Sequence, residues 1–348
     1  MAFSSLFRLL FREPSLLFEL SPSRAVIEVI LLGWAVCWFV VILRQSTWKR
    51  RLNFIRLAAF LSVPVGMIGY SLMIYAPITV PKSLRPASRV LIYQFYTHGA
   101  AEYSSHSEKM WREYAALHGY DYVLFTDTQN SQPIEQVTTR GMNLNFAKLF
   151  AFLELQRTHP GVEFFFYVDT DTGILDPSIR IEDLVEYGEP AAPEGQNEPP
   201  RYMLMMPNDC PHSWSCMLRR ERPNAGVMIM RNTATTREIV KKWLKFALST
   251  CKDMARQHPP SQNVLWQCVM PLYRPFIRVV HYSAFHGWDG MFLRHLSSHD
   301  DARRAAVLTD MERDMHRAIK DIRKGKWDGQ KMRERRRKQV KQAGAEQR

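Results

Sequence analysis

Two long apolar stretches dominate the first eighty positions. Ala25–Leu43 is broken only by Glu28, and Leu57–Ile78 carries no charge. About twenty helical residues span roughly 30 Å, the thickness of a bilayer core. Each stretch is therefore long enough to cross, and the pattern predicts a membrane anchor of one or two helices over 25–78. A cleaved signal peptide would have a shorter apolar core close behind a basic start. Here the first run begins late and is too long. The connection over 44–56 holds five Lys/Arg and no acid. Short basic loops stay cytoplasmic, so everything after Ile78 is expected on the lumenal side, whether the first stretch crosses or only rests on the interface. Residues 1–24 interleave Phe3, Leu6, Phe7, Leu10 and Phe11 with Arg8 and Arg12. They read either as a segment lying on a membrane surface or as a tail. Residues 79–88 read as a stem.

Beyond the stem the periodicity changes. Arg89–Tyr96 is a branched and aromatic run that reads as a buried strand. Ser105–His118 reads as a helix with Met110, Tyr114 and Leu117 on one face, stopped by Gly119. Tyr122–Thr126 is the next strand. Strand, helix, strand at this spacing is a βαβ unit, which predicts parallel pairing. Asn143–Thr158 is a second helix, with Phe146, Leu149, Phe150, Leu153 and Leu155 as its apolar side. Val162–Val168 is almost wholly apolar, as in the middle of a covered parallel sheet. Further strands are expected at Tyr202–Met206 and Gly226–Met230, and helices at Thr236–Leu248 and Asp300–Arg323. Gly188–Pro200 reads as a surface loop. The fold class is thus α/β with a mostly parallel sheet, its main domain over 89–300, followed by a helix and basic tail over 301–348.

Charge sharpens this picture. The net charge is +13, with 46% apolar and 23% charged residues. The segment 318–348 alone holds 12 Lys/Arg against 4 Asp/Glu, and the 44–56 loop adds five positive charges. The rest is near neutral, so the basic balance describes two local segments and excludes a nucleic-acid-binding body. Cys37 lies in an apolar run. Cys210, Cys216, Cys251 and Cys268 show no Cys-x-x-Cys spacing, so neither a zinc site nor a thioredoxin-like motif is supported. Two disulfides in an oxidising compartment and four buried thiols both fit. The chain has no Asn-x-Ser/Thr sequon.

The sharpest chemical feature is the acidic turn that ends the apolar strand: Tyr167-Val168-Asp169-Thr170-Asp171. In open α/β sheets, ligands bind beyond the carboxyl ends of strands. Two carboxylates there suit a hard divalent cation, which in turn can hold a diphosphate. A turn that uses both Asp side chains for local backbone donors is the competing reading.

Several blocks, in order, make the chain resemble glycosyltransferase family 34, whose members include galactosyl-, xylosyl- and mannosyltransferases of the Golgi. They are Tyr114-Ala-Ala-Leu-His-Gly-Tyr-Asp-Tyr-Val123, the helix carrying Lys148, Tyr167-Val-Asp-Thr-Asp-Thr172, Asn224-Ala-Gly-Val-Met-Ile-Met-Arg-Asn232 and Gly290-Met-Phe-Leu-Arg-His295. The resemblance runs from Val90 to His295. It implies a Rossmann-like glycosyltransferase A fold, manganese and retention of anomeric configuration. Asp169, Asp171 and His295 would ligate the metal, with His286 a rival for the third place. Lys148, Asp169, Thr170, Asp171, Asn224 and Gly226 would bind the donor. Asp169, Asp171, Asn224 and Gln262 would serve catalysis, with Asn224 facing the donor sugar. Gln262 matches a family Gln that follows an acid. Here Ser261 precedes it, which leaves the sugar-facing acid unassigned. No acid near Asn224 or Gln262 stands out as a nucleophile, so attack on the face from which the leaving group departs is expected.

The expected partners are a UDP- or GDP-sugar, a glycan acceptor and a membrane, with no nucleic acid. The expected location is the Golgi or ER membrane, which leaves room for an oligomer with other glycosyltransferases. The rival reading is an inactive glycosyltransferase-fold subunit that serves as a scaffold in a Golgi complex.

Overall fold

The computed structural model describes residues 89–96, 101–189, 202–209, 222–280, 285, 291–296 and 300–329. All of them belong to the second of two units into which the chain divides, Thr79–Arg348. The apolar stretches 25–43 and 57–78, the stem, Cys210, Cys216, His286 and the basic tail beyond 329 lie outside the described residues. Among the described residues no helix is long and apolar enough to cross a membrane.

A six-stranded sheet forms the centre, in the order β2-β1-β3-β6-β5-β7. Its strands are β1 (Val90–Phe95), β2 (Asp121–Phe125), β3 (Phe164–Val168), β5 (Leu204–Pro207), β6 (Val227–Arg231) and β7 (Ile277–Val280). The short strands β4 (Thr172–Ile174) and β8 (Leu293–His295) pair antiparallel beside it. The expected βαβ unit is present. β1 pairs parallel with β2, across α1 (Ala101–His118), and parallel with β3 on its other side.

β3 explains the uninterrupted aromatic run. It lies between β1 and β6, and all five residues are buried. Successive strand residues point to opposite faces. Phe166 therefore meets Trp111 of α1, with ring centroids 5.5 Å apart, while Phe165 meets Phe152 of the helix on the other face at 5.4 Å. A strand covered on both sides has no polar face to alternate with.

α1 begins four residues earlier than its apolar pattern suggests. Its first turns carry Ser104 and Ser107, polar yet fully buried. α2 (Gln132–Thr139) precedes a single 3-10 turn, Leu144–Phe146, that leads into α3 (Ala147–Thr158). α3 packs with both flanks inside the core, Lys148 included. α4 (Ile181–Gly188) takes up the first residue of the expected surface loop. α5 (Ala234–Leu248) starts at the Thr233 cap, whose hydroxyl accepts from the Thr236 amide. α6 (Pro260–Val264) continues through a π-turn, Leu265–Val269, to Tyr273. Cys251 and Cys268 form a disulfide that ties the end of α5 to this π-turn, which settles that pair in favour of the bridged reading. α7 (Asp301–Arg323) buries Leu308, Met311, Met315, Ala318 and Ile319 against α1 and β4.

The sheet is mostly parallel, as expected, with one strand reversed. β6 runs antiparallel to both neighbours, β3 and β5. The sheet is mixed, with three of its five pairings parallel. The reversal has a spatial consequence. Residues that enter β6 lie at the same sheet edge as residues that leave β3 and β5.

Candidate active site

That edge gathers the acidic turn, the Asn224–Gly226 turn and the end of β5. Asp169 follows the last residue of β3, and its amide donates to the Gly226 carbonyl at 2.7 Å. The turn is braced from beneath. Thr172 Oγ1 donates to the Asp169 carbonyl at 2.6 Å and accepts from the Trp111 indole at 3.0 Å. Ser107 Oγ donates to the Thr172 carbonyl at 2.7 Å, and Gln94 Nε2 donates to Ser107 Oγ at 3.1 Å. Thr170 is buried between the two acids. The turn's carbonyls are thus held by side chains of α1 and β4, while the Asp171 carboxylate also accepts from its own backbone amide.

Both carboxylates meet His295, the last residue of β8. His295 Nε2 stands 3.1 Å from Asp171 Oδ1 and 3.6 Å from Asp169 Oδ2. β8 reaches this place because Thr172 pairs with His295 in the β4–β8 ladder. The Leu296 amide donates to the Asp171 carbonyl at 2.9 Å. Gly226 closes the other side. A Cβ at this position would lie 2.4 Å from Asp169 Oδ2 and 2.5 Å from His295 Cε1. Here a glycine is required by space, not by backbone angle.

The second oxygen of Asp169 faces α3. Tyr167 donates its hydroxyl to Asp169 Oδ1. Lys148 Nζ lies 3.7 Å from the same oxygen, sits 4.8 Å over the Tyr167 ring and donates to the Ala225 carbonyl at 2.7 Å. Lys148 is 3% exposed, which rules out a solvated helix lysine. Arg304, in the first turn of α7, comes within 3.7 Å of Asp171 Oδ2 while its Nε donates to the Leu296 carbonyl. Sequence reasoning missed Arg304, because nothing in the helical pattern of 300–323 points its guanidinium at residue 171.

These placements shift the acid–base behaviour. Burial works against a charged His295, but the Asp171 carboxylate and its hydrogen bond, then Asp169 and Asp209, outweigh it and push the imidazole up to about 9. Burial would raise Asp171, but His295 and Arg304 hold its carboxyl below the usual range. Burial pulls the Lys148 ammonium down, against the opposing pull of Asp169 and Asp171.

The Asn224 turn forms the second half of the site. Asn224 Oδ1 accepts from the Gly226 amide at 2.8 Å, and Gln262 Oε1 accepts from the Ala225 amide at 3.3 Å. Each side chain has therefore committed its oxygen to backbone, and its amino group must point elsewhere. Both point to Asp209. Asn224 Nδ2 donates to Asp209 Oδ1 at 2.7 Å and Gln262 Nε2 donates to Asp209 Oδ2 at 2.6 Å. This overturns the expectation that no acid stands near Asn224 or Gln262. Asp209 is remote in sequence and close in space, because Asn208 bridges Pro223 and the Asp209 amide donates to the Arg222 carbonyl. The residue before Gln262 has a different task. Ser261 is buried, and its carbonyl accepts from the Trp243 indole at 2.9 Å.

Asp169, Asp171 and His295 fit a divalent cation. Their three ligating atoms lie within 4.8 Å of one another. Ligands at about 2.0–2.1 Å in octahedral array stand about 3 Å apart along each edge, close to the His295–Asp171 spacing.

The profile of the galactosyl transferase GMA12/MNN10 family matches residues 90–267. No curated protein sequence gives a significant match. Among solved structures, a glycosyltransferase involved in the glycosylation of the major capsid of PBCV-1 aligns over 64% of this chain and 99% of its own, at 16% identity and a TM-score of 0.46. The matched span runs from the first residue of β1 through the acidic turn, Asn224 and Gln262 to Gln267, and on that ground the chain belongs to the galactosyl transferase GMA12/MNN10 family, glycosyltransferase family 34.

Proposed function

We propose that this glycosyltransferase is metal-dependent and retaining, and that it moves a hexose or pentose from a UDP- or GDP-sugar to a glycan hydroxyl in the lumen of the Golgi or ER. The observation that carries the reading is the meeting of Asp169, Asp171 and His295 at one sheet edge, against a glycine that leaves no room for a side chain. Manganese bound by these three groups supplies a Lewis acid for the departing diphosphate. Asp169 and Asp171 bring the negative charge that places it. Lys148 fixes Asp169 from behind and offsets part of its negative charge. The Ala225 carbonyl and amide, engaged by Lys148 and Gln262, hold the Asn224–Gly226 turn rigid beside the donor.

For the transfer itself, the acceptor oxygen bonds to the anomeric carbon as the bond to the diphosphate oxygen breaks. The acceptor's proton passes to that oxygen on the same face, so configuration is kept. The Cys251–Cys268 disulfide supports an oxidising compartment. The glycosyltransferase A designation and the membrane anchor over 25–78 belong to the same proposal.

A screen of UDP- and GDP-sugars with manganese tests it, comparing wild type with Asp171→Ala. Turnover of at least one donor is expected, and the variant should lose about a hundredfold or more, the scale of removing a transition-state charge partner. Undiminished activity in the variant, or activity indifferent to chelators, overturns the metal reading. Absence of any turnover by wild type favours the inactive-subunit reading.

A further inference from the structure

We propose that Asp209 is the specificity-determining acid of the donor pocket, accepting a hydrogen bond from a hydroxyl of the sugar being transferred. The inference rests on the proposed nucleotide-sugar reading and assigns that site its sugar-facing group.

Burial supplies the first argument. Asn224 and Gln262 are each only 5% exposed. The Asp209 side chain is 27% exposed. In this cluster the two amides lie behind, and the carboxylate is the member that reaches open space. A donor sugar at this edge meets Asp209 before it can meet either amide.

Hydrogen-bonding capacity supplies the second. An ionised carboxylate offers about four acceptor positions. Asn224 Nδ2 and Gln262 Nε2 take one on each oxygen, and Arg222 Nε approaches Oδ2 at 3.4 Å. At least one acceptor position is left, on Oδ1. It can accept from a hydroxyl but has no proton to give. That asymmetry selects a hydroxyl pointing at Asp209 and penalises its epimer or its absence, since a group built to be paired is costly to leave unpaired.

Placement supplies the third. The amides that hold Asp209 flank Ala225 and Gly226, and Gly226 lies against Asp169 and His295. The carboxylate is therefore linked through one rigid turn to the groups that would hold the diphosphate. A sugar is joined directly to that diphosphate, so a group fixed relative to the phosphates is fixed relative to the sugar. The same two donors, with the nearby Arg222 cation, fix the orientation of the carboxylate, which suits a group that binds the sugar.

The test measures binding to the full-length protein with manganese, using UDP-galactose, UDP-glucose, UDP-xylose and GDP-mannose beside free UDP and GDP. Wild type, Asp209→Asn and Asp209→Ser are compared. For the donor that wild type prefers, either variant should weaken binding by about ten- to a hundredfold, the scale of a hydrogen bond to a charged group. Affinity for the free nucleoside diphosphate should stay within about twofold, which also shows that the variant is folded. The preference among sugars should flatten. Unchanged sugar binding and selectivity overturn the proposal. So does equal loss of sugar-nucleotide and free-nucleotide affinity in Asp209→Ser, because the residue would then act only through the turn. Failure of wild type to bind any nucleotide would instead sink the underlying functional reading.

Discussion

Gly226 sets the tightest limit on the acidic cluster. Its missing side chain is what allows Asp169 and His295 to stand within 3.6 Å of one another across the turn. Gly226→Ala would place a methyl group 2.4 Å from the carboxylate oxygen, well inside contact distance. Neither neighbour can retreat easily, since Asp169 is tied to Tyr167 and its backbone to Thr172. The variant should lose about 1–3 kcal/mol of stability, as overpacked sites do, and most of its manganese affinity. Equilibrium denaturation and a metal titration measure the two effects. A variant that binds manganese as wild type does would show that the three ligands are not held by this turn. At this scale much of the site was legible. Asp169 and Asp171 stand out because an unbroken apolar strand ends on them. Lys148, Asn224, Gly226, Gln262 and His295 came from the family resemblance, and all five lie at the predicted edge. Asp209 was not legible. It stands fifteen residues from Asn224, and the link between them is a backbone bridge that no local pattern encodes.

Among the elements, the long covered ones announced themselves and the short ones did not. β3, α1, α3, α5 and α7 carry enough apolar residues for a period to show. β4 and β8 have three residues each, too few to display alternation. α2 and α6 have 8 and 5 residues and a proline in the first turn, too short for a helical period to show. The direction of β6 was hidden for another reason: a strand buried on both faces has no polar side, and hydropathy says nothing of its sense. α7 shows how a legible helix can have an unforeseen role. It lies on β4, where Leu308 and Met311 cover Gly173, and β4 in turn pairs with the strand that carries His295. Leu308 is fully buried. Leu308→Ala should cost about 2–4 kcal/mol in urea denaturation. Its affinity for manganese should remain near wild type under conditions where the protein stays folded, because Leu308 packs on Gly173 of β4 and on none of the three ligands. Loss of metal binding without loss of stability would show that this packing sets the position of His295.

For the whole molecule, the buried charges couple folding, pH and metal. Before a cation binds, His295 is held protonated up to about pH 9 by Asp171 and Asp169, whereas an imidazole in the unfolded chain titrates near 6.5. A raised folded-state value stabilises the protein fully below about 6.5, and that contribution fades as pH climbs towards 9. Asp171 has the opposite sign: its carboxyl is lowered, so its contribution is present above the ordinary carboxylate range and is lost as acid protonates it. The protein without added metal should therefore melt at progressively lower temperature between about pH 6.5 and pH 9. A divalent cation needs the neutral imidazole and must displace the proton. Manganese affinity should accordingly rise about tenfold per pH unit through this window and level off near 9, since one proton is exchanged per ion bound. The stabilisation conferred by manganese should grow over the same range. Thermal melts of the full-length protein with and without manganese, from pH 6 to pH 9, measure both slopes, and His295→Gln should remove them together. A manganese affinity that stays flat across this range would mean that His295 is not a ligand, and that the cation rests on the two aspartates alone.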